Sequence, residues 1–211
     1  MLKLNTISFP VLYDDLVETQ SWFESLEIST KETRLERILE YVRIAAEHWD
    51  EGTLGEILEQ YGSQNIEISI LDAEVFVRIH RQFQTLKSHR LPRRKLRLIL
   101  DGELLPSDDD ISGGAGSRNY LFELGLAARL MSKGLSIKEW DDIQFGFEDY
   151  DFRIECKRLG SSRNIGHNIT DASATLSKKM VKDRDMGIIA LAIERIANTD
   201  RDRDWETSVI L

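Results

Sequence analysis

The sequence predicts an α/β fold: a mainly helical N-terminal region followed by a mixed sheet flanked by helices. Three observations carry this expectation. Apolar residues in the first hundred positions recur at helical spacing. Residues 106–117, PSDDDISGGAGS, concentrate Pro, Asp, Ser and Gly with almost nothing apolar, the composition of a linker or mobile loop. Beyond them the apolar period switches repeatedly between helix and strand, as in domains that pack helices on a sheet. The expected organisation is a helical region over 1–105, a linker over 106–117 and a second domain over 118–211.

In KETRLERILEYVRIAAEHW, Leu35, Ile38, Leu39, Val42 and Ala46 follow the i, i+3, i+4 spacing of a buried helix face. Thr53 is placed to cap a short helix through Gln60, with Gly62 ending it, and LDAEVFVRIHRQFQTLKS reads as a longer helix stopped before Pro92. The alternating stretch IEISI, 66–70, reads instead as a short strand. After the linker, RNYLFELGLAARLMSKG is an apolar helix ending at Gly134, a residue suited to the left-handed C′ position. LSIKEW, DIQFGFE and FRIECKRL then read as strands, with EDYD as the hairpin turn between the last two. A helix follows in which Ile165, Ile169, Ala172, Leu176 and Met180 share one face. Last, MGIIALAI is a continuous apolar run, the pattern of a strand covered on both faces. The order after the linker is helix, three strands, helix, strand.

Composition narrows the function classes. The 211 residues, 41% of them hydrophobic, suffice for one core and a smaller second one without covalent staples. The single cysteine, Cys156, excludes an internal disulfide framework and suits a reducing compartment. No run of about 18 apolar residues occurs, and MLKLNTISFPVLYDDL has no charged segment leading into an apolar stretch. A soluble, cytoplasmic protein without a membrane partner is expected. The net charge of −9 and pI near 5.1 oppose a module that grips nucleic acid by bulk electrostatics. They leave room for clustered carboxylates that bind a cation beside a confined basic stripe. The four histidines are scattered and form no Ser/His/Asp arrangement.

The chemistry concentrates in the proposed hairpin. On FRIECKRL, Phe152, Ile154 and Cys156 point one way, while Arg153, Glu155 and Lys157 point the other. A carboxylate and an ammonium two residues apart beside an apolar layer are costly to desolvate unless something uses them. On the preceding strand Asp142 shares a face with Gln144, Gly146 and Glu148, opposite Ile143, Phe145 and Phe147. If the turn centres on Asp149 and Tyr150, Glu148 pairs with Asp151, Phe147 with Phe152, Gln144 with Glu155 and Asp142 with Lys157. Asp142 then lies diagonal to Glu155, at about 7 to 8 Å between backbones. Converging oxygens of this kind suit Mg²⁺ or Mn²⁺.

The segment DIQFGFEDYDFRIECKR resembles the PD-(D/E)xK nuclease superfamily, in which an acid opening one strand precedes an ExK on the next. The resemblance spans roughly residues 118–195, including the order of helices and strands. It implies a restriction-endonuclease-like core and a Mg²⁺-dependent (or Mn²⁺-dependent) endonuclease or exonuclease. Carried over residue by residue, Asp142 and Glu155 are metal ligands, Lys157 is the catalytic lysine, and the Cys156 carbonyl is a further ligand. Glu123, the acid within the apolar helix, matches the glutamate that many members place before the sheet. Two positions depart from the pattern: Asp141 stands where a proline often precedes the aspartate, and Thr175 stands near a common glutamine.

Basic residues near the motif, among them Arg153, Arg158, Lys178 and Lys179, are candidates to contact a phosphate backbone. HRLPRRKLR near residue 90 is a second such patch. The expected partner is nucleic acid, DNA ahead of RNA, in a setting such as restriction, repair or phage defence. The helical region is expected to govern specificity or association, through a second copy or a protein partner. The rival expectation is a noncatalytic protein-interaction module on a nuclease-like scaffold, and an RNase is the variant of the first reading.

Overall fold

In the computed structural model, which describes residues 8–49, 53–106, 108, 115–140, 142–159 and 162–193, the helical periodicity of the N-terminal half becomes a succession of helices. They are α1 (Phe9–Ser25), α2 (Arg34–Glu47), α3 (Leu54–Tyr61), α4 (Ser63–Phe83), α5 (Arg93–Leu98) and α6 (Ala115–Met131). The remainder gives β1 (Ile137–Glu139), β2 (Ile143–Phe147), β3 (Tyr150–Arg158), α7 (Ile165–Lys179) and β4 (Asp185–Ala192). The chain divides into two compact units, Met1–Leu135 and Ser136–Leu211.

The first unit is built by helix faces. On α2, Leu35, Ile38, Leu39 and Val42 are buried as their spacing requires, and the buried stripe runs on to Ile44 and Ala45. Ala46 is half-buried instead. Gly62, at φ 83°, separates α3 from α4 by a left-handed turn that a side chain would resist. The expected strand at IEISI is a helix: residues 66–70 lie inside α4. The alternation of its isoleucines is local, whereas Ile66, Ala73, Phe76, Val77, Ile79 and Phe83 continue a buried helical face over several turns. The longer period wins because only a helix buries all of these residues together.

Helix α6 packs its Leu121, Leu124, Ala127 and Ala128 into the same core. A Cβ at Gly125 would stand 2.7 Å from Val75 Cγ1, so glycine permits the close approach of α6 to α4. Gly134, at φ 85°, ends the segment in a Schellman arrangement. There the Leu135 N–H donates to Leu130 O at 3.2 Å and the Gly134 N–H to Met131 O at 2.9 Å. By this packing α6 groups with the helical unit, which runs to Leu135; most of the expected linker, residues 107 and 109–114, lies outside the described residues.

The second unit holds a four-stranded mixed sheet in the order β1-β2-β3-β4. β1/β2 and β2/β3 are antiparallel, while β3/β4 is parallel, with α7 as the crossover that a parallel pair needs. The helix, three strands, helix, strand order is therefore present. The β2/β3 register differs from the expected one by two residues: Phe147 pairs with Tyr150, Phe145 with Phe152, Gln144 with Arg153 and Ile143 with Ile154. The turn thus centres on Glu148 and Asp149, with Glu148 in left-handed backbone at φ 52°. This register sets aromatic against aromatic, and the Phe145 and Phe152 rings stack at 5.1 Å and 7°.

A slip of two residues leaves every side chain on its expected face. Strand β4 differs from expectation in its surroundings, because Met186 and Ile188 are 46% and 39% exposed rather than covered. Of the apolar stripe expected on α7, Ala172 and Leu176 are buried and Ile169 is exposed.

Candidate functional site

Strand parity sorts the second unit's chemistry. Asp151, Arg153, Glu155 and Lys157 share one face of β3, and the register places Gly187, Ile189 and Leu191 of β4 beside the last three. A Cβ on Gly187 would meet Met180 Sδ at 2.9 Å and Leu176 Cδ1 at 3.2 Å, so this is the face that α7 covers. Arg153, Glu155 and Lys157 therefore sit in the layer between sheet and helix.

Within that layer the charges are paired side chain to side chain. Lys157 Nζ donates to Glu155 Oε1 at 2.9 Å. Glu155 is only 8% exposed, and its Oε2 is buried with no hydrogen-bond partner among the described residues. Burying a carboxylate oxygen without a partner is unfavourable, so this atom calls for a donor or a cation. Asp142 stands just before Ile143, the residue at which the β2 ladder with β3 ends opposite Ile154. The next residue on β3 is Glu155, so Asp142 and Glu155 flank the same last register pair. They are not diagonal across the Asp142/Lys157 pair expected from sequence. Asp142 has left-handed backbone, φ 61°, which turns the chain out of the strand at this point. Its Oδ2 accepts from Lys179 Nζ at the end of α7.

Beyond Ile154, β3 continues to Arg158 beside β4 but without β2, so the Cys156 backbone lies where the β2 ladder has ended. The Cys156 side chain belongs to the opposite face from Glu155 and Lys157, and the thiol is half-buried. Arg153 lies on the acidic face, with Nη1 3.9 Å from Glu139 Oε2. Arg158 is on the opposite face at the strand end, and Lys178 is exposed on α7. At the turn end of the hairpin, a hydrogen bond from Lys138 holds the Asp151 carboxyl below its ordinary pKa. The backbone N–H groups of Lys182 and Val181, at 3.0 and 2.8 Å, do the same for Asp185.

Glu123 lies in the helical unit, where its Oε1 accepts from Lys95 Nζ at 2.7 Å with both side chains largely buried. The basic cluster near residue 90 is partly spent on the fold in the same way. Lys95 holds Glu123, and Arg93 donates to Leu26 O at 3.4 Å and to Ser88 Oγ at 3.3 Å. Asp141 lies outside the described residues. His167 pairs with Asp171 at 3.2 Å on an exposed turn of α7, away from the buried layer.

Sequence reading gave no distinct place to Lys179 among the basic residues. The signal for it was present: Lys179 lies three residues after Leu176 on α7, near the covering face. The helical unit also contains a cavity of about 220 Å³ lined by Asp15, Val77, Arg78, Arg81 and neighbouring residues. Arg81 there grips both oxygens of Asp15, at 2.7 and 2.6 Å. Burial and the nearby Arg129 push the Arg78 guanidinium below its ordinary pKa.

The donor set can be judged on these terms. Mg²⁺ keeps several waters and takes one or two carboxylates plus substrate oxygens. Asp142 and Glu155 at one ladder end, with an Oε2 that is buried and without a partner among the described residues, fit that requirement. Among the described residues no group of three or more His, Cys, Asp or Glu side chains is assembled to hold a metal from protein ligands alone. Compared with protein families, curated proteins and solved structures, the chain matches none.

Proposed function

We propose that this chain is a metal-dependent nuclease that hydrolyses phosphodiester bonds, with DNA as the favoured substrate. The observation that carries the reading is Glu155: a carboxylate buried in the layer under α7, bonded through one oxygen to Lys157 and holding the other without a partner among the described residues. A strand that served only to fill a core would bury an apolar residue there, since a buried ion pair is seldom a net stabiliser.

Asp142 and Glu155 would hold Mg²⁺ or Mn²⁺, and the Cys156 carbonyl, where the β2 ladder has ended, is a further oxygen on the same stretch of β3. Such an ion supplies an activated water and offsets charge on the phosphate. Lys157 keeps Glu155 oriented through the 2.9 Å bond, and its ammonium is a positioned charge for the oxygens of the transferring phosphate. Arg153 and the exposed Lys178 are candidates for sequence-independent contact with the backbone, the role that phosphate contacts play in nucleic-acid recognition. Glu123 has a structural occupation with Lys95 in the helical unit, so the reading is built on Asp142, Glu155 and Lys157.

The test is cleavage of single-stranded DNA, double-stranded DNA and RNA by the full chain with Mg²⁺, with Mn²⁺ and with EDTA. Metal-dependent cleavage abolished by EDTA is expected, and undiminished cleavage in EDTA would overturn the mechanism. No cleavage of any of the three substrates would favour a noncatalytic module.

A further inference from the structure

The two carboxylates of the proposed site differ in what holds them. Glu155 is bonded by Lys157, two residues away on its own strand, so that partner moves only with β3. Asp142 is bonded by Lys179, 37 residues later and on another element, the last residue of α7. Met180, the residue that follows, lies against Gly187 on the covered face, so this end of the helix is pinned over the sheet. The Lys179 and Asp142 side chains are 39% and 22% exposed, which leaves the pair accessible rather than locked in the core. An ammonium is a cation on a flexible stem with three donors and binds a carboxylate as a point charge.

We infer that Lys179 competes with the divalent cation for Asp142, so that α7 sets how tightly the proposed site binds metal. This rests on the nuclease reading, which makes Asp142 a metal ligand, and adds to it a control on occupancy. A cation that takes Asp142 Oδ2 displaces Lys179 Nζ, and the cost of breaking that ion pair is subtracted from metal affinity. The exposure of Lys179 allows its ammonium to return to water once displaced, which keeps the exchange reversible on the scale of side-chain motion.

The experiment is calorimetric titration of the full-length protein with Mn²⁺ alone, without nucleic acid, for the wild type, Lys179→Met, Lys179→Arg and Asp142→Asn. Competition predicts that Lys179→Met binds Mn²⁺ about tenfold more tightly, the scale of one lost charge-assisted hydrogen bond. Lys179→Arg should stay close to the wild type because it restores a cation at that position. Asp142→Asn should bind most weakly. Circular dichroism melts of each variant show whether the fold is kept, and Lys179→Arg carries the test if Lys179→Met does not fold: tighter Mn²⁺ binding by the arginine variant would contradict competition. Equal affinities for the wild type and Lys179→Met, with Asp142→Asn still impaired, would overturn the role of Lys179 while leaving the metal site standing. Absence of Mn²⁺ binding in every variant would overturn the metal site and this inference with it.

Discussion

The two units differ in what ties their most buried charges. In the helical unit, Arg34 is fully buried and donates from Nη2 to the Ile99 carbonyl at 2.9 Å. Arg118, also buried, donates to the carbonyls of Glu103 and Leu104 and, at 3.0 Å, to Asp72. These guanidiniums are tied to backbone, which holds the ends of helices and loops together. In the sheet unit, Glu155 bonds Lys157 and Asp142 bonds Lys179, and one Glu155 oxygen is buried without a partner among the described residues. Charge fastened to backbone carbonyls is architecture. Charge paired to a movable side chain can be exchanged for a ligand; Lys95–Glu123 is such a pair in the helical unit, and Glu155 differs in keeping a buried oxygen without a partner among the described residues.

The sharpest way to break the comparison is to remove charge from each unit in turn. Asp142→Ala should abolish metal-dependent cleavage. Lys157→Met should lower kcat by roughly two to three orders of magnitude, the effect of deleting one transition-state charge stabiliser, with the melting temperature little changed. An enzyme with normal kcat after either change would remove that residue from the mechanism. Asp151→Ala and Asp149→Ala are the controls and should keep most activity. Asp151 is committed to the surface-facing Lys138, and Asp149 sits in the turn.

Arg118→Met is the counterpart in the helical unit. It strips Asp72 of its 3.0 Å partner and leaves it with Arg34 Nε at 4.0 Å, while two carbonyls lose their donor. Breaking a buried pair in this way costs roughly 3 to 5 kcal/mol. The urea midpoint should fall accordingly, and a variant as stable as the wild type would show that these arginines are not structural ties.

What could be read from the sequence divides along similar physical lines. Period two fixes which side chains share a face, so Glu155 and Lys157 were legible as neighbours on one side of β3. Register was not, because sliding a hairpin by two residues preserves every face; the observed one makes two aromatic pairs, Phe145–Phe152 and Phe147–Tyr150, where the expected one makes only Phe147–Phe152. The strand expected at IEISI failed because a short alternating run carries less information than the helical period around it. The Lys95–Glu123 pair spans 28 positions and the Lys179–Asp142 pair 37, and local pattern says nothing about such distances. Gly134 and Gly62 were legible, since a left-handed turn selects glycine before any tertiary contact forms.

Two glycines sharpen the comparison at smaller scale. Adding a methyl at Gly125 drives a Cβ to 2.7 Å from Val75 Cγ1, a β-branched side chain stiff at χ1. Gly125→Ala should cost about 1 to 3 kcal/mol by overpacking. At Gly187 the contacts are Met180 Sδ at 2.9 Å and Leu176 Cδ1 at 3.2 Å. Methionine has three rotatable bonds and yields readily, so Gly187→Ala should cost less. Equilibrium urea unfolding compares the two, and a larger loss at Gly187 would mean that the layer under α7 is as rigid as the helical core.

The smallest expected effect is a pH dependence that belongs to the helical unit. His80 is buried on α4, stacked on Trp22 at 5.3 Å, with Nδ1 3.2 Å from Thr19 Oγ1. The Thr19 hydroxyl already donates to Asp15 O at 2.8 Å, so its oxygen accepts from His80 and the ring is assigned as the Nδ1–H tautomer. Burial pushes the His80 pKa below 6.5, and Arg81 adds to this. Glu18, Gln84 and Asp15 offset part of it. As pH falls through 6.5 the unfolded chain takes up a proton that the folded chain refuses, so the unfolded state binds more protons and stability declines. This contribution is fully present above 6.5 and is lost as pH falls below that value toward the folded pKa. The wild-type urea midpoint should therefore drop between about pH 7.5 and about pH 5.5, the range in which histidine titrates. In His80→Gln, which keeps a donor toward Thr19 but does not titrate, that part of the slope should vanish. An unchanged slope in the variant would assign the pH dependence to other groups and show that the buried imidazole is protonated as readily in the folded chain as in the unfolded one.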